Sequence, residues 1–98
     1  MICTVGTWVV KKGREQEFER RWQEMANGLA LDYPNLTFRL LRDQREARRF
    51  LAITEGWRTA EQIEAVQDLP SYQDALTALW RVLESGEMST LELAVEIS

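Results

Sequence analysis

Phe50-Leu-Ala-Ile-Thr-Glu-Gly-Trp57, then Arg58-Thr59, then Ala60-Glu-Gln-Ile-Glu-Ala-Val66, is the stretch on which the reading of the fold turns. The first part is rich in β-branched and aromatic residues and ends on a tryptophan, as a strand would. Thr59 then opens a helical pattern with Gln62 three positions on. That spacing is a capping box, in which the Thr59 hydroxyl and the Gln62 amide satisfy free backbone donors at the helix start. A large amphipathic indole is thereby placed where a strand hands over to a helix, a position suited to a pocket wall.

Working outward, residues 2–10 are again β-branched and aromatic and predict a first strand, which Lys11-Lys12-Gly13 breaks. From residue 14 to about 31, Phe18, Trp22, Met25, Ala26 and Leu29 recur at helical spacing, with charged residues on the opposite side. Glu15 and Glu17 suit the positive end of that helix, and Pro34 enforces a turn after it. Residues 36–42 and 48–57 predict two strands joined by a polar turn at 43–47. Residues 59–68 predict a short helix, with Ile63 and Val66 facing inward. Leu69-Pro70-Ser71 interrupts it, and Ser71 with Asp74 is expected to cap a further helix carrying Tyr72, Leu76, Leu79, Trp80 and Leu83 until Ser85-Gly86 stops it. A last strand is expected over 88–97, where Leu91, Leu93, Val95 and Ile97 alternate with more polar residues.

Strand–helix–strand–strand–helix–strand is the ferredoxin-like α+β arrangement, with four antiparallel strands and the helices on one face. Along the first strand Thr4, Gly6, Trp8 and Val10 share one face; Cys3, Val5, Thr7 and Val9 share the other. Alternation along the third strand sets Leu51, Ile53, Glu55 and Trp57 against Phe50, Ala52 and Thr54. Neither set looks solvated, so burial on both sides is expected, with a homodimer formed through the sheet face.

Composition removes many functions. A chain of 98 residues is one domain, 1–98, burying only about 60–70% of its unfolded surface, so a core shared with a second subunit is expected. A net charge of −4 speaks against non-specific nucleic-acid binding. No apolar run approaches the roughly 18 residues of a membrane span, and the first residues lack a secretory leader pattern. Cys3 stands alone, which fits a reducing cytoplasm. With no histidine in the chain, the commonest metal ligand, the histidine-based nucleophile pairs and a histidine haem ligand are all missing. The five glycines are too scattered for a phosphate-cradling loop.

The chain resembles the antibiotic biosynthesis monooxygenase (ABM) superfamily. The matching pieces are Val9-Val10-Lys-Lys-Gly13-Arg-Glu-Gln-Glu-Phe18, Tyr33-Pro34-Asn35, Ile53-Thr-Glu-Gly-Trp57-Arg-Thr-Ala-Glu-Gln-Ile63 and Leu69-Pro-Ser-Tyr72-Gln-Asp-Ala-Leu76. The resemblance implies a dimeric α+β barrel of ferredoxin-like subunits. It also implies oxidation of electron-rich aromatics, such as anthrones or quinols, by dioxygen, often without a cofactor. In the anthrone-oxidising type the junction tryptophan follows an asparagine by four residues and precedes a tyrosine by six. Trp57 matches that tryptophan, whereas Ile53 and Ile63 occupy the other two positions. In the haem-degrading type the corresponding polar positions fall on Gly6, Val66 and Leu76, so haem is not expected. Quinol-oxidising relatives often carry Glu-x-Trp or Glu-x-Tyr followed by a histidine early in the next helix; Glu55 and Trp57 match, and the histidine position falls near Val66.

These readings make Trp57 and Glu55 the catalytic candidates, the indole as a donor to a substrate oxygen and the carboxylate as a general base. Trp8, Ile53, Ile63, Val66, Leu76 and Trp80 are expected to form a pocket for a small apolar aromatic, with neither metal nor cofactor. For each aromatic the plainer role is packing. The expected function is an ABM-type monooxygenase; the alternative is a non-catalytic dimeric ligand-binding or accessory module of the same fold.

Overall fold

A computed structural model describes all residues 1–98. Its elements are β1 (Ile2–Val10), α1 (Glu15–Asp32), β2 (Thr37–Arg42), β3 (Arg49–Trp57), α2 (Ala60–Gln67), α3 (Pro70–Trp80) and β4 (Leu83–Glu92). The strands form one antiparallel sheet in the order β2-β3-β1-β4. The three helices cover one face only, giving a slab of 36 × 35 × 19 Å. This is the ferredoxin-like α+β layout expected from the element order.

The core lies between sheet and helices. Trp8 and Val10 of β1, Phe50 and Ala52 of β3 and Val82 and Leu83 at the β4 start pack against Phe18, Trp22, Ala26 and Leu79. Phe18 and Phe50 meet at a centroid distance of 5.0 Å, fixing α1 over the sheet centre. Two arginines clamp Glu17 near the start of α1, Arg14 at 2.6 Å and Arg21 at 2.9 Å. The capping box forms as the spacing predicts: the Gln62 N–H donates to the Thr59 hydroxyl at 3.1 Å. The Gln62 side-chain oxygen accepts from the Arg58 N–H at 2.9 Å.

Two boundaries differ from the sequence reading. Pro70, not a capped Ser71, opens α3: it is the first helical residue, where its missing N–H costs nothing, and Leu69 holds the cap position. The last strand begins at Leu83 instead of 88, and α3 stops at Trp80. Ser85-Gly86 resembles a helix stop in sequence, yet Gly86 lies within β4 directly opposite Trp8. A Cβ there would collide with the Trp8 ring, so the glycine is a strand residue that makes room for an indole. At the other end Glu92 pairs with Ile2, leaving no further β1 residue to pair. Leu93, Val95 and Ile97 continue the alternation but are exposed.

The third difference is a β-bulge. The β1–β3 register shifts between Ile2 and Cys3, which pair with Trp57 and Glu55, leaving Gly56 as the extra residue with φ of 99°. The bulge resets the alternation, so Trp57 points to the helix side with Thr54, while Glu55 and Ile53 point away. A Cβ on Gly56 would also run into the Asn35 carbonyl in the turn before β2. Replacing Gly56 by alanine is therefore expected to cost about 2 kcal/mol or more. Gly13→Ala, which shares a positive φ of 83° but meets nothing within 4 Å, should cost about 1 kcal/mol. Urea denaturation midpoints of the two variants check the difference.

Candidate functional site

Beneath the helices the sheet carries unusually small side chains. Thr4 pairs with Thr54 and Gly6 with Ala52, so the sheet centre next to Trp8 is almost bare backbone. Trp22, Met25 and Leu29 of α1, Ile63 and Val66 of α2, and Tyr72 and Leu76 of α3 close over this floor, and Trp57 joins them at the bulged end. These side chains do not fill the gap, and a partly open, largely apolar chamber of about 50 Å³ remains. That volume holds a water or two; a benzene ring needs a cavity of about 150 Å³. Any aromatic ligand must therefore push side chains aside, and flexible Met25, Met88 and Gln67 are in the lining to allow it. Met25, Leu29 and Tyr72 also border a groove of about 420 Å³ between α1 and α3, so they form a partition between groove and chamber.

Polar groups are few and their states are defined. The Trp57 Nε1–H donates to the Thr4 hydroxyl at 3.2 Å, a bond worth about 1 kcal/mol that orients the indole across the chamber end. Thr4 is itself buried, and accepting from Trp57 leaves its own O–H free to donate. The Tyr72 hydroxyl donates to the Met88 sulfur, a weak acceptor, at 3.7 Å. Burial pushes the Tyr72 phenol above its ordinary value of 10.0, so at neutral pH it is a donor and not a base. The Trp8 Nε1–H is buried with no partner, an arrangement that costs about 1–3 kcal/mol.

Of the residues singled out from sequence, Trp8, Trp57, Ile63, Val66 and Leu76 meet at this chamber. Ile53 does not; it lies on the other face, between Val5 and Arg39 in the neighbouring strands. Glu55 lies on that face too, ion-paired with Arg39, and the bulge at Gly56 is the physical reason that it parts company with Trp57. Trp80 packs edge-on against Trp8, with centroids 5.8 Å apart and planes at 86°, and is 44% exposed outside the chamber. Sequence reasoning passed over the floor residues Thr4, Gly6, Ala52 and Thr54, although Thr4 and Gly6 share the alternation of Trp8. Trp22 and Tyr72 were read as packing residues of helical stripes; both line the chamber as well. No three His, Cys, Asp or Glu side chains gather as a metal site, and no helix is long and apolar enough to cross a membrane.

A sequence search among curated proteins finds no match. The fold is shared with several solved structures. SnoaB, a cofactor-independent oxygenase from Streptomyces nogalater, superposes in an asparagine-to-alanine variant with a TM-score of 0.84 and 20% identity, over 98% of this chain and 95% of that one. A second SnoaB structure gives 0.84 and 18%, with the same coverage. A conserved protein from Methanosarcina mazei Go1 gives 0.80 and 14%, over 92% and 89%. At these identities the likeness establishes the fold alone. The family model described as antibiotic biosynthesis monooxygenase matches residues 1–78, which carry all of the chamber except Met88, and the chain belongs to that family.

Proposed function

We propose that the chain is a cofactor-independent monooxygenase that oxidises a small, flat, electron-rich aromatic, of anthrone or quinol type, with dioxygen. The observation that carries this reading is the chamber between sheet and helices, apolar but for a few neutral polar groups and bounded at one end by an indole fixed on Thr4. Membership of the family and a fold shared with a cofactor-independent oxygenase support it. For an anthrone the reaction balances as ring CH2 plus dioxygen giving a ring carbonyl plus water. The acidic C–H gives its proton to solvent water before the ligand is closed in, and the delocalised anion passes an electron to dioxygen; the radical and superoxide combine to a peroxide, which takes up a proton and loses water. Trp57 bounds the substrate and Thr4 holds that indole, while Tyr72 offers a neutral donor. Exclusion of water protects the anion from reprotonation.

The unclothed sheet face supports a homodimer as the working form. Cys3, Val5, Val9, Leu51 and Ile53 are only half-covered there, and Leu41 and Leu91 are exposed. A second copy laid on this face buries them all, which a single small domain needs. With one unpaired cysteine, the protein is proposed to work in a reducing cytoplasm. A second reading, a ligand-binding module without catalysis, is favoured by one observation: the lining contains no carboxylate, amine or guanidinium.

An oxygen electrode separates the two readings. Wild-type protein should consume oxygen with anthrone or a reduced quinol, and Trp57→Phe should lower the rate about ten-fold. Ala52→Leu should abolish turnover by filling the floor, whereas Glu55→Gln, on the other face of the sheet, should leave the rate within about two-fold. Binding of aromatics without oxygen uptake would establish the second reading. Val5→Glu should convert the dimer to a monomer in sedimentation velocity, because it buries a charge between the sheets. Tyr72 adds an alkaline signature. Its folded pKa lies above the unfolded value, so its contribution is complete below about 10 and is lost as pH rises towards the folded pKa. Tyr72→Phe should remove that loss from thermal-denaturation scans.

A further inference from the structure

The chamber holds one polar group that the reading above does not use. Trp8 is 3% exposed, and its Nε1–H is the one buried side-chain nitrogen or oxygen without a hydrogen-bond partner. The ring cannot turn to find one. It lies over two glycines: a Cβ on Gly6 would come within 2.6 Å of Nε1, and a Cβ on Gly86 would strike the opposite, benzenoid edge. Trp80 packs against it edge-on. Gly6 lines the chamber and Gly86 does not, so the N–H edge is the one on the chamber side. Thr4, on the same strand face, sits beyond Gly6, and its hydroxyl oxygen accepts from Trp57 and not from Trp8.

We propose that Trp8 is a specificity-determining residue: its indole N–H binds an oxygen acceptor at the edge of a flat apolar ligand, a ring ketone or the phenolate that ionisation generates. The inference rests on the reading of this chamber as the ligand site. It deepens that reading by fixing which end of the ligand carries oxygen. The donor lacks a partner in the empty site, so a ligand that brings an acceptor gains a hydrogen bond there that a hydrocarbon of the same shape cannot. One oxygen is selected, and selected by position: it must lie in the plane of the Trp8 ring, above Gly6. The glycines at both edges of the ring keep the donor aimed, since a side chain at either position would displace it. Because an N–H donor favours the more negative acceptor, it also holds an enolate-like oxygen more tightly than the parent ketone.

Pairs of ligands of one shape that differ by an oxygen test this: α-tetralone against tetralin, and anthrone against anthracene. Four indole N–H signals are expected in a proton–nitrogen correlation spectrum, and Trp8→Phe assigns the Trp8 signal by its loss. The ketones should shift the Trp8 signal downfield while the hydrocarbons leave it in place. In fluorescence or calorimetric titrations Trp8→Phe should weaken the ketones about ten-fold and the hydrocarbons hardly at all. Equal shifts with ketone and hydrocarbon, or a Trp8 signal that no ketone moves, would overturn the proposal. If Trp8→Phe folds poorly, assignment of the wild-type signals through the backbone keeps the spectral test intact. Oxygen uptake is read separately. Ketone selectivity through Trp8 without turnover sinks the oxygenase and keeps this inference, whereas turnover with no selectivity does the reverse.

Discussion

An indole lying flat on a β-sheet needs bare backbone beneath it, and the contact of Trp8 with Gly6 and Gly86 organises much of this molecule. Each of the two glycines forgoes the packing of a side chain in the middle of a strand, which weakens a strand on its own. In return, a side chain as large as tryptophan is buried almost completely and held at a fixed angle by Trp80. The consequence extends along the sheet. With Gly6 bare and Ala52 opposite it, the helices are held off the strands by their own large side chains and by Trp8. They cannot settle closer without a clash, and the chamber is the space that results.

The bulge at Gly56 sets the other boundary of that space. Its backbone conformation and the approach of Asn35 leave no room for a side chain, so the turn after α1 and the end of β3 lie backbone against backbone. The extra residue then turns Trp57 inward, where Thr4 accepts its N–H. Two tryptophans thus face one floor from opposite ends: the first free to donate to a ligand, the second committed to the protein. That asymmetry is chemical as well as geometric, since a committed donor shapes a cavity and a free one selects what fills it.

Element order, the antiparallel sheet and the strand–helix junction were legible in the sequence because they rest on local signals: alternation, helical spacing and a capping pair. The site was legible only in part, and the failures have specific causes. Alternation across 53, 55 and 57 put Ile53, Glu55 and Trp57 on one face, but one bulged glycine reverses the parity, and nothing in the composition of Glu-Gly-Trp announces it. Gly86 read as a helix stop because its partner is Trp8, 78 residues earlier, and cross-strand contacts leave no mark on local sequence. Trp80 followed the helical stripe correctly but lies on its last turn, where the chamber has already closed. The floor residues escaped notice because small side chains carry no chemistry of their own; their part is to be absent.

A chamber with no ionised group constrains the chemistry it can promote. A general base held in an apolar site would have to keep its charge against desolvation, and the carboxylate that the sequence pairs with Trp57, Glu55, stays outside, paired with Arg39. What remains inside is a set of neutral donors: a buried indole N–H, a threonine hydroxyl and a phenol kept protonated by burial. Neutral donors do not remove protons. They lower the energy of an anion once its charge has spread onto an oxygen at the ring edge, and in a dry site that stabilisation is larger than in water. Such a site favours molecules whose C–H or O–H acidity is already high and whose anion delocalises onto a carbonyl oxygen. It offers nothing to an inert hydrocarbon of the same shape. The unpartnered indole N–H beside the bare sheet is therefore the feature that joins the shape of the chamber to its chemistry.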